Sequence, residues 1–246
     1  MIKLNRKTYI VSDNHFFHVN IIRYCARPYN VSDLKNKDFL NEEILKMNED
    51  MLKEFDALPE ECDIYNNGDL FFVGDENRKK FLAEQLDEMK TIVKRMKGPT
   101  GKRKLFLILG NHDNFHLPNE SRIKFYYDLG FDKVYDTPII IEDNFILSHE
   151  PVYISPANNF INLYGHVHDL DICRPENINE NGLSTYFMYD WDNWAMVSRK
   201  EGKEPNDKSQ FLKFPNLGVS PKNYYNVCWD MHHKILSLNS IITNFK

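Results

Sequence analysis

The chain has 246 residues, of which 42% are hydrophobic and 27% charged, and its formal net charge is −5. This composition is typical of a globular protein rather than a disordered one, and the acidic balance excludes a global positive field of the kind that attracts nucleic acid. The four cysteines, Cys25, Cys62, Cys173 and Cys228, show no paired spacing, which argues against a zinc knuckle or a disulfide framework and predicts reduced thiols.

Helices and strands are predicted to alternate through the first half of the chain. Residues 38–57 carry apolar side chains at near-helical spacing, and the helix is expected to end at Leu58-Pro59. Residues 62–65 follow as a buried strand. A second amphipathic helix fits residues 78–96, and the five successive apolar residues 105–109 predict a strand covered on both faces.

The second half has a different pattern. Residues 133–135, 138–141, 144–147 and 160–164 predict short strands joined by short turns. The sequence therefore favours an α/β fold in which two packed mixed β-sheets are flanked by helices. Residues 169–222 show no regular spacing of apolar residues. We interpret this stretch as an irregular insertion, such as a lid, within one domain spanning residues 1–246.

Five clusters of metal-binding side chains follow the predicted strands in order. They are Asp13-Asn14-His15, Gly68-Asp69, Gly110-Asn111-His112-Asp113, His149, and Gly165-His166-Val167-His168. In an open α/β sheet, ligands bind in the crevice beyond the carboxyl ends of the strands, where residues distant in sequence converge. Imidazole, carboxylate and amide oxygen together suit a borderline divalent metal such as manganese, iron or zinc.

Several of these clusters also have a plainer interpretation. Asp13 is a candidate helix cap beside a surface histidine, although a spacing of two on an extended segment points Asp13 and His15 to one face. Gly-Asp pairs are common in turns, and Asp75 competes with Asp69, which we favour because it directly follows a strand. His149 has no spacing signature of its own.

Two residues are candidates for contact with a phosphate. His112 can stand beside the substrate without binding metal, where a free imidazole stabilises a transition state or protonates a leaving alkoxide. The alternative is an exposed histidine in a turn, and Asp113 either orients His112 or serves only that turn. Arg27 can grip phosphate bidentately, but Arg-Pro is also an ordinary helix-exit sequence. His18 and Asn20 are expected to support the site.

The ordered pattern Asp-x-His, Gly-Asp, Gly-Asn-His-Asp, His and Gly-His-x-His resembles the calcineurin-like metallophosphoesterases. Residues 12–22, followed by Arg27-Pro28, look like a prokaryotic and phage-type branch of that family, and residues 226–230 look like its closing strand. The resemblance covers roughly residues 8–169 and 224–243. It implies an αββα sandwich and an enzyme that hydrolyses phosphoric esters with two divalent metal ions.

The resemblance also implies roles for individual residues. Asp13, His15, Asp69 and His168 would hold the first ion, and Asp69, Asn111, His149 and His166 the second, so that Asp69 bridges them. Asn111 would also contact substrate. Manganese is favoured, with iron, zinc or nickel as alternatives, and a metal-bridging hydroxide would attack the phosphorus.

A phosphodiester or a small nucleotide-type ester is the favoured substrate. Protein phosphatases of this superfamily continue Gly-Asp with Val-Asp-Arg-Gly and end the third cluster in glutamate. This chain instead reads Gly68-Asp69-Leu70-Phe71 and ends that cluster in Asp113.

Two alternatives stay open at this point. A nuclease acting on DNA or RNA is favoured if the basic residues between Lys94 and Lys104 line the metal cleft, although such a run is more often a solvated loop. Aromatic residues at 186–194 can stack a base, but packing or a protein contact explains them equally well. The other alternative is a non-catalytic metal-binding scaffold for a protein partner, which would be expected to lack some of the ligands.

A soluble protein of the cytoplasm is expected. Residues 1–7 lack the apolar stretch of a secretion signal, and no apolar run approaches the ~20 residues of a membrane span, so no membrane partner is predicted.

Overall fold

The computed structural model describes residues 2–4, 6–30, 40–72, 78–114, 118–169, 172–173, 178–186 and 217–244. The strands are β1 Thr8–Val11, β2 Asp63–Asn66, β3 Lys104–Ile108, β4 Lys133–Tyr135, β5 Ile139–Ile141, β6 Phe145–Ser148, β7 Ile161–Tyr164, β8 Ser184–Tyr186, β9 Leu217–Val219, β10 Tyr224–Asn226 and β11 Leu236–Ser237. The α-helices are α1 Val19–Tyr24, α2 Glu42–Asp56, α3 Arg78–Met96, α4 Asn119–Leu129, α5 Trp229–His232 and α6 Leu238–Asn244.

Two mixed sheets carry the fold. The first has the order β11-β1-β2-β3-β4 and is parallel except for β11, and the second has the order β10-β7-β6-β5 with β5 antiparallel to β6. Together with the flanking helices they form the α/β sandwich that the sequence predicts. A third pair, β8 and β9, lies inside the predicted insertion, and the remaining aromatic residues of that insertion fall outside the described part of the chain.

Side chains of the first sheet alternate between two hydrophobic cores because successive residues of a strand face opposite sides. Val11, Ile64 and Leu105 pack towards α2 and α3. Ile10, Tyr65 and Ile108 face the second sheet, where they join a cluster that includes Leu147 and Leu163. The apolar run in β3 is therefore buried on both sides, as its composition predicts.

Helix α2 begins at Glu42 rather than at residue 38. Asn41 has an extended backbone, and its side chain accepts a hydrogen bond from the backbone N–H of Glu43 at 2.9 Å, which caps the helix. The predicted end of this helix and both ends of α3 agree with the structure. Helices α1, α4, α5 and α6 are additions that the apolar spacing did not indicate, and residues 226–230, which look like a closing strand in the sequence, contain only the end of β10 and the start of α5.

The basic run at residues 94–104 lies away from the carboxyl ends of the strands, because Lys104 begins β3 and Gly110 follows its end. Arg95 pairs with Glu49 and Asp56, and Lys97 and Lys104 both pair with Asp132. The surface therefore has little free positive charge here.

Arg103, in the same run, is only 1% exposed. Its guanidinium donates to the carbonyl oxygens of Phe55 at 2.7 Å, Pro59 at 2.9 Å and Met96 at 3.3 Å. It therefore satisfies carbonyl groups at the ends of α2 and α3 and is not available to bind a polynucleotide.

Candidate metal centre

All five predicted clusters lie at one edge of the sandwich. The register sets Val11, Asn66 and Leu107 side by side, so the loops after β1, β2 and β3 leave the first sheet together. In the second sheet Ser148 lies opposite Tyr164, so His149 and the loop after β7 also emerge together. The strand ends bring the predicted ligands into one site, as expected for a parallel sheet.

A first trio consists of Asp13, His15 and His168, whose candidate ligand atoms all lie within 4.8 Å of one another. All three side chains are buried. Oδ1 of Asp13 and both ring nitrogens of His15 have no hydrogen-bond partner within the described part of the chain. Buried polar atoms are normally paired, and a bound cation would supply the missing partner.

A second trio consists of Asp69, His149 and His166, also with ligand atoms within 4.8 Å. Oδ1 of Asn111 lies 2.9 Å from Nε2 of His149 and 3.0 Å from Nδ1 of His166. The two imidazole nitrogens are themselves 3.2 Å apart. The amide oxygen of Asn111 therefore lies beside this set of donors, and its role as a ligand stays a prediction.

Asp69, a member of the second trio, also lies close to the first. Its Oδ2 is 3.5 Å from Nε2 of His15 and 3.4 Å from Nε2 of His149. Its Oδ1 accepts a hydrogen bond of 2.8 Å from the backbone N–H of His112. The carboxylate of Asp69 is therefore within reach of donors from both trios.

The electrostatics of the site favour bound positive charge. Burial alone would lower the pKa of His149, but attraction to Asp69 outweighs it and raises the pKa to about 10. Although burial opposes its ionisation, nearby histidines keep the pKa of Asp69 well below its ordinary value. Burial lowers the pKa of His15 well below its usual range, so this imidazole is neutral and has a lone pair to donate.

Five of the predicted metal ligands have a left-handed backbone, with φ of 57° at Asp13, 51° at His15, 54° at Asp69, 72° at His166 and 53° at His168. Non-glycine residues rarely adopt this conformation, and such strain clusters at functional sites. The segment after β1 is therefore not extended. Asp13 and His15 were expected to point the same way because residues two apart on a strand do so, and that reason is wrong. Hydrogen bonds from their N–H groups to the carbonyls of Gly68 and Asp69 hold the loop instead.

Asp113 joins the loops after β2 and β3. Its Oδ2 accepts from the N–H groups of Asp69 and Gly110, both at 2.8 Å, and its Oδ1 accepts from the hydroxyl of Tyr126. The carboxylate is fully engaged with these groups, so its role is to fix the position of Asp69 rather than to orient the His112 ring.

His112 belongs to neither trio and is half-buried beside the first, with its ring centroid 5.2 Å from that of His15. His18 is buried next to both rings and stacks on Phe72 at 3.7 Å. The positions of His112 and His18 fit the roles predicted for them, and those roles stay predictions.

The prediction for Arg27 is wrong in this structure. The side chain is 4% exposed, and its guanidinium donates to Asp230 and to the carbonyl oxygens of Asp13 and Asn14. These contacts occupy the face that a phosphate would need. Sequence reasoning missed Asp230 as a site residue, although the resemblance of residues 226–230 to a family strand pointed to that segment.

Cys228 is a second residue that the sequence did not single out. Its thiol donates to Oδ2 of Asp13 at 3.1 Å, and the N–H of His166 donates to the same oxygen at 2.9 Å. Both contacts leave Oδ1 of Asp13 for a metal ion.

A cleft of about 390 Å³ opens beside the second trio. Its lining includes Asn111 and His149, the apolar residues Pro138, Pro151 and Val152, and the carboxylates of Asp136 and Glu150. The cleft has room for the organic part of a small ester, and its carboxylates disfavour a polyanion there.

Gly110 is placed against the side chain and the backbone nitrogen of Asp69. A Cβ built on this glycine would lie 2.2 Å from Oδ1 of Asp69 and 2.6 Å from its backbone nitrogen. We expect Gly110→Ala to weaken Mn²⁺ binding at least tenfold and to destabilise the fold by about 1–3 kcal/mol, because the Asp69 loop must move.

Gly101→Ala is the matched control, because a Cβ at Gly101 would meet nothing within 4 Å and the substitution adds only backbone strain at a φ of 67°. Calorimetric titration with Mn²⁺ and urea unfolding of both variants measure the two effects. Unchanged Mn²⁺ affinity in Gly110→Ala would contradict the close contact with Asp69.

Within the described residues, no helix combines the length and apolar character that crossing a membrane requires.

Comparison with known proteins adds little about function. No protein-family profile matches the chain. An uncharacterized protein of Methanocaldococcus jannaschii is 29% identical over 110 residues, which are 45% of this chain and 48% of that protein, so the match spans about half of its relative.

Two solved structures are also similar. A protein of unknown function from Aquifex aeolicus is 18% identical with a TM-score of 0.42, and the match covers 98% of this chain and 100% of that one. The Pseudomonas putida nuclease MPE is 23% identical with a TM-score of 0.40, covering 66% of this chain and 62% of that one. Matches at this level of similarity carry no function over to this chain.

Proposed function

We propose that the chain is a dimetal phosphoesterase of the calcineurin-like metallophosphoesterase type, acting on a phosphodiester or a small nucleotide-type ester. The observation that carries the proposal is the position of Asp69. One of its oxygens lies within 3.5 Å of a histidine nitrogen from each trio, and the six other predicted donors, which follow four other strands, lie around it.

The donor set fits two divalent cations. Asp13, His15, Asp69 and His168 would hold the first, and Asp69, Asn111, His149 and His166 the second. Mixed nitrogen and oxygen donors suit manganese, iron or zinc, and manganese is our first choice. Two such ions, when bound, lower the pKa of water to roughly neutral and neutralise charge on a phosphoryl group.

The chain's own residues would orient the ester and donate a proton to its leaving group. The cleft beside Asn111 and His149 would hold the organic group of the ester next to the second trio. His112, outside both trios, would donate a proton to the leaving oxygen. The hydrogen bond from the backbone N–H of His112 to Oδ1 of Asp69 would hold the main chain of His112 beside the bridging carboxylate.

The nuclease alternative depended on the basic run lining the metal cleft. That run lies at the opposite end of β3, where Arg95, Lys97, Lys102 and Lys104 pair with carboxylates and Arg103 is buried. A polynucleotide would need other contacts, and we therefore favour a small ester. A cytoplasmic location is part of the same proposal.

Metal analysis and two model esters test the proposal. We expect purified protein to bind about two divalent ions per chain and to hydrolyse bis-p-nitrophenyl phosphate or p-nitrophenyl phosphate only with metal. EDTA should abolish turnover and Mn²⁺ should restore it. Bound metal without turnover of either ester would support the scaffold alternative instead, and absence of both metal and turnover would refute the metal centre.

A panel of cyclic nucleotides, dinucleotides and short oligonucleotides then separates the substrate classes. Fast cleavage of oligonucleotides together with slow turnover of the small esters would favour a nuclease.

A further inference from the structure

A buried network joins the first trio to the C-terminal segment. Arg27, His168 and Asp230 are 4%, 4% and 7% exposed. Oδ2 of Asp230 lies 2.9 Å from Nδ1 of His168 and accepts from Nη2 of Arg27 at 3.0 Å, while Oδ1 accepts from Nε of Arg27 at 2.7 Å. Both oxygens of the carboxylate are therefore occupied by N–H donors.

The same guanidinium holds the loop after β1. Nη2 of Arg27 donates to the carbonyl oxygen of Asp13 at 3.0 Å, and Nη1 donates to that of Asn14 at 2.9 Å. One ion pair thus ties together the loop that carries two members of the first trio, the loop that carries the third, and helix α5.

The path of the C-terminal segment explains how Asp230 reaches this position. The N–H of Val227 donates to the carbonyl of Tyr164 at the end of β7, and Ser12 exchanges backbone hydrogen bonds with Val227 and Trp229. The segment therefore bridges the carboxyl ends of β1 and β7, and Asp230 follows directly.

We propose that Asp230, held in place by Arg27, is a positioning residue that fixes the ring of His168 with its Nδ1–H towards Asp230 and its Nε2 towards the first metal ion. Histidines that bind metal commonly donate their second N–H to a carboxylate, which sets the tautomer and the ring orientation. This inference rests on the metal centre proposed above and adds to it two residues that contact no ion.

The alternative is a separate metal site formed by Cys25, His168 and Asp230, whose ligand atoms also lie within 4.8 Å of one another. The Arg27 guanidinium occupies both oxygens of Asp230 and places a permanent positive charge there. A cation at that point would be repelled and would have to displace two hydrogen bonds. The network is therefore better suited to orient a ligand than to bind a metal ion.

Asp230→Asn tests the role of the carboxylate. An amide has one acceptor oxygen, so its NH₂ group would face an N–H donor of either Arg27 or His168. We expect Mn²⁺ titration to show one ion bound about 10–100-fold more weakly and the other with unchanged affinity. Asp132→Asn, which alters a carboxylate paired with Lys97 and Lys104 away from the site, should bind both ions like the wild type.

Asp230→Asn also leaves Arg27 buried without its partner, which can unfold the protein. The double variant Arg27→Gln/Asp230→Asn removes that charge and should show the same selective weakening of one ion. Wild-type affinity for both ions in a folded Asp230 variant would overturn the proposal.

The tautomer of His168 can also be measured directly in the wild-type protein. In Zn²⁺-loaded protein, long-range ¹H–¹⁵N correlation spectra should show His168 protonated at Nδ1 and metal-bound at Nε2. The reverse assignment would overturn the positioning role. A wild type that binds no divalent ion would instead refute the proposed metal centre, so the two failures are distinguishable.

Discussion

Replacing Asp69 with alanine is expected to abolish the binding of both metal ions and, with it, all metal-dependent hydrolysis. Asp69 is the one carboxylate in the site that lies within 3.5 Å of nitrogens from both trios among the described residues. Removing it leaves each set without the shared oxygen and removes a negative charge that offsets two cations. Calorimetric titration with Mn²⁺ and metal analysis of the purified variant measure the loss of metal binding.

Thermal unfolding gives an independent measure of the same variant. A ligand at 100 times its Kd stabilises the folded state by about 2.7 kcal/mol, so Mn²⁺ should raise the melting temperature of the wild type. Asp69→Ala should show no such rise.

Asp63→Ala is a matched control, because Asp63 is also a mostly buried aspartate and begins the strand β2 that Asp69 follows. It pairs with Arg6 at the other end of that strand. This variant should keep the Mn²⁺-dependent rise even if its metal-free stability is lower. An Asp69→Ala protein that still binds two ions would contradict the bridging role.

The sequence was sufficient to locate the trios because their position depends on local patterns. Each ligand cluster follows an apolar run, and parallel pairing in register brings the ends of such runs together. The order of the clusters therefore predicted that residues as far apart as Asp13 and His168 would meet. The α/β class followed from the same runs, since β3 is apolar on both faces.

Contacts that depend on the assembled fold were not predictable in this way. Arg27 and Asp230 are 203 positions apart, and no spacing rule links them. The Arg-Pro pair is compatible with either a phosphate contact or a helix exit. Only the burial of the Arg27 side chain excludes the phosphate contact. The left-handed φ of the ligands is likewise set by the loops that hold them, not by the ligands' own preferences.

Helix α4 was not predicted for a different reason, because the residues that mark its start and its end are adjacent to it in the sequence. Pro118 precedes the helix and Gly130 ends it with a φ of 114°. These are ordinary start and stop residues. The apolar spacing does not reveal the helix, because Tyr127 on its exposed face adds a hydrophobic residue outside the buried stripe.

His112→Ala is expected to leave metal content nearly unchanged while lowering turnover by roughly 10²–10⁴-fold. The side chain of His112 belongs to neither trio, and the hydrogen bond that links this residue to Asp69 comes from the backbone N–H. Alanine preserves that bond, so the bridging carboxylate stays in place. Only the chemistry of the imidazole is removed.

The size of the effect should depend on the leaving group. A p-nitrophenolate leaves without being protonated, whereas an alkoxide requires a proton. If His112 supplies that proton, the variant should lose far more activity towards an alkyl ester than towards a p-nitrophenyl ester of the same acid. An equal loss for both esters would indicate that the imidazole stabilises charge on the phosphoryl group instead.

His233→Asn is the matched control for His112→Ala. His233 is exposed and has a φ of 50° at the end of α5, a conformation that asparagine tolerates. This variant should bind metal and turn over both esters like the wild type. Loss of metal in His112→Ala, with the control unaffected, would make His112 a ligand and would move proton donation to another residue. His18 would then be the first candidate, since its ring centroid lies 6.0 Å from that of His112.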